Sequence, residues 1–209
     1  MARTPVATDN FNRAGPALGA NWQQLTNWSG GDITINSSTR ATGYSGNGPG
    51  NSSARWVGAG TFTADQYAAA KLVNFDYQNA GFWSGVIARA SGDEAPDNDF
   101  YYAIVEHNSG GPTYLTRVGK VVNGTDTSLA TSSQAWSVND VISLEVEGTS
   151  LRVFRNDTQI TALNVTDASL ATGAPGVICS EVVYLDDFEG GNIGEDGGSA
   201  PTITDAGDE

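Results

Sequence analysis

The sequence predicts an all-β protein, a two-sheet antiparallel β-sandwich, and three observations support this fold class. Short runs of β-branched and aromatic residues recur at nearly regular intervals between residues 81 and 164. Turn signals rich in glycine, proline and asparagine separate these runs, and no helical segment lies between them. Strands at this spacing are typical of antiparallel meanders in sandwiches and barrels.

The strand candidates of this central stretch follow one another with only turns between them, so we expect a continuous meander. They are GFWSGVIARA (81–90), NDFYYAIVEHN (98–108), PTYLTRVGKVV (112–122), DVISLEVEG (140–148), SLRVFRN (150–156) and TQITALNV (158–165). Earlier strands are predicted within 5–25, 32–35, 39–44 and 55–78, and one or two more within 169–191.

The chain divides into one large domain and a tail. Residues 1–190 carry the strand pattern without a linker, and 209 residues in all suffice for a single β-sandwich. Residues 191–209 form an acidic, glycine-rich stretch without lysine or arginine. The weakly strand-like APTIT within it predicts an arm that docks on a neighbour, and the alternative is a solvated tail.

The charge excludes several classes of partner. A net charge of −14 with only two lysines predicts no binding to nucleic acid and no docking on anionic membranes. No stretch is long and apolar enough to predict membrane insertion, and the N-terminus has no apolar signal-peptide segment. Cys179 is the sole cysteine, which rules out an internal disulfide and suits a buried core position.

The ordered series of motifs resembles the concanavalin-A-like lectin/glucanase superfamily over residues 6–190. The segments that carry the resemblance are TDNFNRAGPALGANW, SGVIARA with NDFYYAIVE, ISLEVEGTSLRVFRNDTQI, LATGAPGVI and VYLDDF. They look most like the laminin-G-like jelly rolls of phage and bacterial surface proteins. The resemblance implies two stacked antiparallel sheets, one of them concave, with the first and last strands side by side.

Strand alternation assigns side chains to faces. Ile142, Leu144 and Val146 should point to the core, which turns Glu145 and Glu147 away from it. In 150–156, Leu151 and Val153 should face inward, leaving Arg152 and Phe154 outside, whereas both faces of 98–108 are apolar and neither is assigned.

A mixture of aromatic, acidic and guanidinium side chains suits a glycan site on the concave face implied by the resemblance. The candidate residues are Trp83, Arg89, Tyr102, Glu106, Tyr114, Glu145 and Arg152. The alternative is structural: Trp83 and Tyr102 fill the core, and the charged residues pair on the surface. Trp22, Trp28, Trp56 and Trp136 are expected to fill the core or cover an edge.

Catalytic patterns known from this superfamily are incomplete. Laminarinase-type hydrolases carry an E-x-D-x-x-E strand, of which only the pair Glu145 and Glu147 is present. The alginate-lyase pattern of histidine and tyrosine has His107 with Tyr101 or Tyr102, but the accompanying arginine and glutamine strands are missing. We therefore expect no enzyme.

A structural calcium ion is the one cofactor that the resemblance suggests. Asp9 and Asp186 or Asp187 lie on strands that it places together, so their carboxylates could converge on a hard cation. The loop SGDEAPDND, with Asp93, Glu94, Asp97 and Asp99, is a second candidate. Exposed acids that bind no ion are the alternative at both places.

These observations favour a non-catalytic carbohydrate-binding or adhesion module, displayed on a phage virion or another extracellular assembly. A purely structural virion protein, such as a capsid decoration, fibre or tail component, is the alternative. A polysaccharide hydrolase or lyase comes third. The expected partners are glycans, with other virion proteins or self-association as further possibilities.

Overall fold

Two antiparallel sheets pack face to face in the computed structural model, which describes residues 2–25, 32–43, 52–74, 81–92, 98–107 and 114–194. Sheet A contains β1 (Ala2–Asp9), β3 (Ile33–Ile35), β4 (Ala41–Gly43), β6 (Gln66–Asn74), β11 (Val141–Glu147), β12 (Ser150–Arg155), β13 (Thr158–Gln159), β14 (Val165–Thr166) and β16 (Tyr184–Gly194). Sheet B contains β2 (Trp22–Gln24), β5 (Ser52–Trp56), β7 (Trp83–Ser91), β8 (Asp99–His107), β9 (Tyr114–Val122), β10 (Thr125–Gln134) and β15 (Ala174–Cys179).

The spatial order of the strands differs from their order in the chain. Sheet A runs β13–β12–β11–β6–β16–β4–β3, with β1 also paired to β16 and β14 to β12. Sheet B runs β10–β9–β8–β7–β15–β5–β2. The predicted two-sheet antiparallel sandwich is therefore confirmed.

The first and last strands lie side by side, as the resemblance implied. β1 pairs antiparallel with β16 from Ala2 opposite Gly194 to Asp9 opposite Phe188. β16 continues to Gly194, past residue 190, where the sequence places the end of the domain. Residues 195–209 of the predicted arm, Trp28, and the loop acids Asp93, Glu94 and Asp97 lie outside the described residues.

The central strand series is divided between the two sheets instead of forming one meander. β7 to β10 are consecutive neighbours in sheet B, and β11 to β13 are consecutive neighbours in sheet A. The expectation missed β10, because its sequence TDTSLATSSQ lacks apolar alternation. The predicted strand 158–165 was also wrong, since β13 ends at Gln159 and a 3₁₀ turn spans Thr161–Leu163.

The inner faces of the two sheets form the main core. The predicted inward residues Ile142, Leu144, Val146, Leu151 and Val153 are all fully buried in it. An aromatic group closes one side of this core, with ring contacts that join Phe11, Trp22, Trp56 and Phe188. Trp136 is also buried there.

β8 is buried on both faces, which explains why both of its residue sets are apolar. Tyr101, Ala103 and Val105 belong to the main core. Phe100, Tyr102 and Ile104 belong to a second apolar cluster on the outer face of sheet B, together with residues of β7, β9 and β15. A strand that is covered on both sides cannot show alternation of apolar and polar residues.

A buried arginine organises the outer face of sheet A. The Arg3 Nε donates a hydrogen bond to Glu145 Oε1 at 2.7 Å, and its side chain is 4% exposed. Its guanidinium lies between the rings of Tyr67 and Phe154, 5.2 and 4.9 Å from their centroids. Because β1 supplies this arginine, the contact fastens the N-terminal strand to β6, β11 and β12.

We expect Arg3→Ala to lower the free energy of unfolding by about 2–3 kcal/mol, because it leaves Glu145 buried with one arginine fewer. Urea denaturation followed by circular dichroism measures the change. Glu147→Gln is the control: that carboxylate is 26% exposed in its pair with Arg152, so its loss should cost under about 1 kcal/mol. Equal effects of the two changes would contradict the role given to Arg3.

Candidate ligand-binding groove

A polar groove of about 480 Å³ lies at the side of the sandwich where β10 of sheet B faces the β12–β13 hairpin of sheet A. Its lining combines amide, guanidinium and hydroxyl groups with two apolar side chains. The lining residues are Gln134, Arg155, Asn156, Thr158, Gln159, Ile160, Thr161 and Ala162. The volume is at the small-ligand end of the range for binding pockets in proteins.

A tight turn shapes one wall of the groove. Arg155 pairs with Thr158, so the loop of the β12–β13 hairpin consists of Asn156 and Asp157 alone. Both residues have positive φ, 47° and 60°, as a type I′ hairpin turn requires. Asparagine and aspartate tolerate this conformation better than most residues, which is why the sequence ND marks a turn here.

A buried carboxylate behind the groove holds two of its lining residues. Asp140 accepts hydrogen bonds from the Arg155 Nε at 2.7 Å and the Asn156 Nδ2 at 2.6 Å. It also accepts the backbone N–H of Ser137 at 2.7 Å. Burial alone would raise the pKa of Asp140, but these hydrogen bonds and the charge of Arg155 outweigh it and lower the pKa.

The other lining groups are also held in place. The Arg155 guanidinium lies 5.7 Å from the ring centroid of buried Trp136, and Gln159 donates to Asn164 Oδ1 at 2.8 Å. Gln134 donates to Ser132 Oγ at 2.9 Å, from the opposite wall. Polar groups that are already oriented lose less conformational entropy when a ligand binds.

The groove can donate and accept hydrogen bonds, and the described residues that line it include no carboxylate. Glycoside hydrolysis with two carboxylates would need an acid and a nucleophile that these described residues do not supply. Within the described ranges, no group of three histidine, cysteine, aspartate or glutamate residues could hold a metal ion. The described lining thus presents hydrogen-bond donors and acceptors and one guanidinium group.

The structure separates the seven residues that the sequence analysis grouped as a glycan site. Trp83 pairs with Glu106 across β7 and β8, and Tyr102 lies with Trp83 on the outer face of sheet B. Glu145 pairs with Arg152 across β11 and β12, on the outer face of sheet A. The two groups lie on opposite sides of the sandwich, so one concave face cannot contain both.

Tyr102 is a structural residue of the outer face of sheet B. Its side chain is fully buried, its hydroxyl donates to Asp126 Oδ1 at 2.6 Å, and the Arg117 guanidinium lies 5.2 Å from its ring centroid. A Cβ at Gly119 would come within 2.3 Å of the Tyr102 hydroxyl, so the ring needs glycine there. Its ring is therefore no stacking platform for a sugar in this arrangement.

Arg89 and Tyr114 also lie away from the other candidates. Arg89 is buried at a bulge of β7 and donates to the carbonyl oxygens of Ala64 and Leu170 at 2.8 and 2.7 Å. Burial lowers the pKa of this guanidinium. Tyr114 packs against the main core between the sheets. The side chain of Arg89 therefore connects the segments that contain Ala64 and Leu170 to β7.

The acidic pair that was compared with hydrolase carboxylates is paired with arginines. Glu145 contacts Arg3 at 2.7 Å and Arg152 at 3.2 Å, and it is 6% exposed. Glu147 contacts Arg152 at 2.6 Å. Glu145 therefore lies between two guanidinium groups, and Glu147 shares one of them.

The predicted calcium ligands Asp9, Asp186 and Asp187 each contact a cationic side chain. Asp9 accepts two hydrogen bonds from Arg13, at 2.6 and 2.8 Å, and one from the Trp22 indole at 2.6 Å. Asp186 contacts the Arg40 Nε at 2.9 Å, and burial raises the pKa of its carboxyl to about 6. Asp187 contacts Lys71 at 2.5 Å. Each of these carboxylates is already bound by a cationic side chain.

Sequence analysis missed the groove because its residues come from separate segments with ordinary polar side chains. Gln134 belongs to the strand that was not predicted, and 158–165 was interpreted as a strand. The one usable signal was the dipeptide Asn156–Asp157, which was correctly interpreted as a turn. That signal predicts a hairpin, but it does not predict which strand of the other sheet lies opposite the hairpin.

Comparison with known proteins places the fold in a well-populated class. No protein-family model matches the chain, and no curated protein matches it. The carbohydrate-binding module CBM66 from Bacillus subtilis has a TM-score of 0.54 at 16% identity, covering 82% of this chain and 92% of that one. A legume lectin-like domain from Entamoeba histolytica reaches 0.56 at 11% identity, covering 83% and 91%. The β-glucanase of Bacillus licheniformis reaches 0.51 at 12% identity, covering 91% and 99%.

The chain has the concanavalin-A-like lectin/glucanase fold. At these identities the likeness establishes the fold alone, and the fold includes both lectins and a glucanase.

The described part of the chain contains no helix long and apolar enough to cross a membrane.

We expect Asp140→Asn to lower the free energy of unfolding at pH 7 by about 1–3 kcal/mol, because Arg155 and Asn156 lose their shared acceptor charge. The folded-state pKa of Asp140 is lowered, so its contribution is present above the unfolded value near pH 4 and declines as the pH falls further. The variant should therefore lose less stability than the parent between about pH 4 and pH 2.

Denaturant titrations at several pH values measure this difference. Asp157→Asn is the matched control, because this carboxylate is 48% exposed and lies in the same turn. A parent and an Asp140→Asn variant with parallel pH profiles would contradict the assignment.

Proposed function

We propose that this protein is a non-catalytic carbohydrate-binding module and that the groove between β10 and the β12–β13 hairpin binds a neutral sugar. The observation that carries the proposal is the pre-oriented set of amide, guanidinium and hydroxyl groups around a small apolar patch. Sugar hydroxyls need paired donors and acceptors, which glutamine, asparagine and arginine side chains supply.

The electrostatics favour an uncharged ligand. Asp140 lies 2.7 Å from the Arg155 guanidinium, so the charges at the back of the groove balance. The whole chain carries a net charge of −14, which repels acidic polysaccharides at low ionic strength. Ile160 is 8% exposed and offers a small apolar contact for the C–H groups of a sugar ring.

The fold is consistent with this proposal. One structurally similar protein is titled a carbohydrate-binding module and another a legume lectin-like domain. The β-glucanase of the same fold makes an enzymatic role the competing hypothesis. Two observations support the non-catalytic alternative: the described residues of the groove lining include no carboxylate, and Glu145 is paired with two arginines.

A glycan array followed by calorimetry with the strongest neutral hit tests binding. Gln134→Ala combined with Gln159→Ala should weaken binding about tenfold or more, since each loses a hydrogen-bonding amide of about 1 kcal/mol. Thr172→Ala, in an exposed loop outside the groove, is the control and should bind as the parent does. Thermal unfolding of each variant verifies that the fold is intact.

The same experiment distinguishes the groove from the site that the sequence suggested. Trp83→Ala and Glu106→Gln alter the outer face of sheet B, on the other side of that sheet from the groove. If these changes abolish binding while the groove variants do not, the groove is the wrong site. A folded protein that binds no neutral glycan would overturn the proposed function.

An activity screen tests the non-catalytic part of the proposal. Incubation with laminarin, agar and alginate should release no reducing ends and no unsaturated products. Glu145→Gln should behave as the parent in this screen. Turnover that disappears in Glu145→Gln would establish an enzyme and refute this part.

We also propose where the protein is located. It is a laminin-G-like module displayed outside a cell, on a phage particle or a similar assembly. The composition supports it: two lysines, 24 acidic residues and abundant glycine suit an extracellular surface protein. Detection of the chain on purified particles, and its loss after gentle surface proteolysis, tests this part. Recovery only from the cell interior would contradict it.

A further inference from the structure

Among the strands that form the sheet edges in the described part of the chain, β10 is the longest. Sheet A ends at β3, with three residues, and at β13, with two. β1, with eight residues, pairs only with β16 there, but Pro5 and a bulge after it interrupt its free edge. Sheet B ends at β2, with three residues, and at β10, with ten. Short edge strands protect a protein from strand pairing with other chains, and a ten-residue edge lacks this protection.

β10 also lacks the side chains that usually guard an edge. Its sequence TDTSLATSSQ contains no lysine, arginine or proline. Thr125–Ser128 is exposed at all four positions. The single charge, Asp126, is occupied by the Arg117 guanidinium at 3.2 Å and by the Tyr102 hydroxyl at 2.6 Å.

Two ion pairs lie beside this edge, although the chain as a whole is strongly acidic. Arg117 pairs with Asp126, and Lys120 on the same strand β9 pairs with Asp167 at 2.5 Å. These two cations and two anions cancel, and Asp99, which accepts the N–H of Asn123, adds one negative charge two residues from Thr125. The strip thus carries little of the net charge of −14, so an identical molecule meets less repulsion here than the charge of the whole chain implies.

We propose that β10 is a self-association edge, at which the Thr125–Ser128 segments of two copies pair antiparallel across a two-fold axis. Such a contact is isologous and closes after two copies, which leaves neither copy with an open β10 edge at this segment. In this pairing hydroxyl side chains face one another, and Asp126 of one copy faces Thr127 of the other. No like charges stand directly opposite each other.

The bulge in β10 explains why the pairing uses the N-terminal half of the strand. The register with β9 shifts between Ser128 and Ala130, so the edge bends there. Beyond the bulge, Gln134 lines the groove. Pairing over Thr125–Ser128 stays about 20 Å from Gln134 along the strand and leaves the groove open.

A four-residue contact between two acidic molecules should be weak and strengthened by salt. Sedimentation equilibrium over a wide concentration range should give a monomer–dimer equilibrium with a dissociation constant in the micromolar to millimolar range. Raising the ionic strength from about 0.05 to 0.5 M should favour the dimer, because it screens the repulsion between the two negative molecules. Hydrogen exchange at Thr125–Ser128 should slow as the dimer forms.

Charge substitution tests the location. Thr127→Asp with Ser128→Asp places new carboxylates at the contact, one of them opposite Asp126 of the second copy, and should abolish the dimer. The matched control, Ala171→Asp with Thr172→Asp, adds the same charge in an exposed loop and should dimerise nearly as the parent does. Equal melting temperatures of the two variants show that folding is unaffected.

Three results would overturn the inference. The parent stays monomeric at millimolar concentration in high salt, or the Thr127→Asp, Ser128→Asp variant dimerises as well as the control. In the third, the amides of Thr125–Ser128 that do not donate to β9 are already protected from exchange in the dilute monomer. That last result would mean that this edge is covered within one chain.

Discussion

The buried carboxylate of Asp140 is the contact on which the groove side of the sandwich depends. Its side chain binds the Arg155 guanidinium, the Asn156 amide and the Ser137 N–H. Its own carbonyl accepts the N–H of Leu72 in β6 at 2.9 Å, so the residue also anchors the start of β11. One residue thus fixes a hairpin, a loop and a central strand relative to each other, and the positions of the polar groups at the groove follow from it.

The same carboxylate explains why an arginine can lie at the edge of an apolar core. The alternation that places Leu151 and Val153 inside also turns Arg155 toward the space between the sheets. An unpaired guanidinium there would be costly, but Asp140 supplies the opposite charge and Trp136 an aromatic face. The polar groove is therefore a consequence of how the edge of the core is closed.

The sequence predicted the fold class and most central strands because those strands alternate between apolar and polar residues or are apolar throughout. It failed at β10, whose exposed serine and threonine residues carry no such signal. It also failed to predict which of the candidate glycan-site residues lie close together. Alternation assigns Glu145 to the outer face of its strand and leaves Tyr102 unassigned, because both faces of 98–108 are apolar. It does not assign a strand to a particular sheet, and the chain passes from sheet B to sheet A between β10 and β11. Residues that a single meander would bring together therefore lie on opposite sides of the molecule.

Several nearly buried acids in the described part of the chain are paired with cations, although the 24 acidic residues of the sequence far outnumber its ten lysines and arginines. Glu189 instead accepts a hydrogen bond from the Tyr67 hydroxyl. Asp9, Asp140, Glu145 and Asp186, which have nearly buried carboxylates, each contact an arginine. The cations are thus concentrated where desolvation is costly, and the surplus negative charge stays on the surface. Arg117 is one of the cations nearest an edge, and its pair with Asp126 leaves β10 locally neutral. This distribution of cationic side chains stabilises the interior. It also leaves the single acidic residue of β10 paired, so two copies of the acidic protein can associate along this long strand edge.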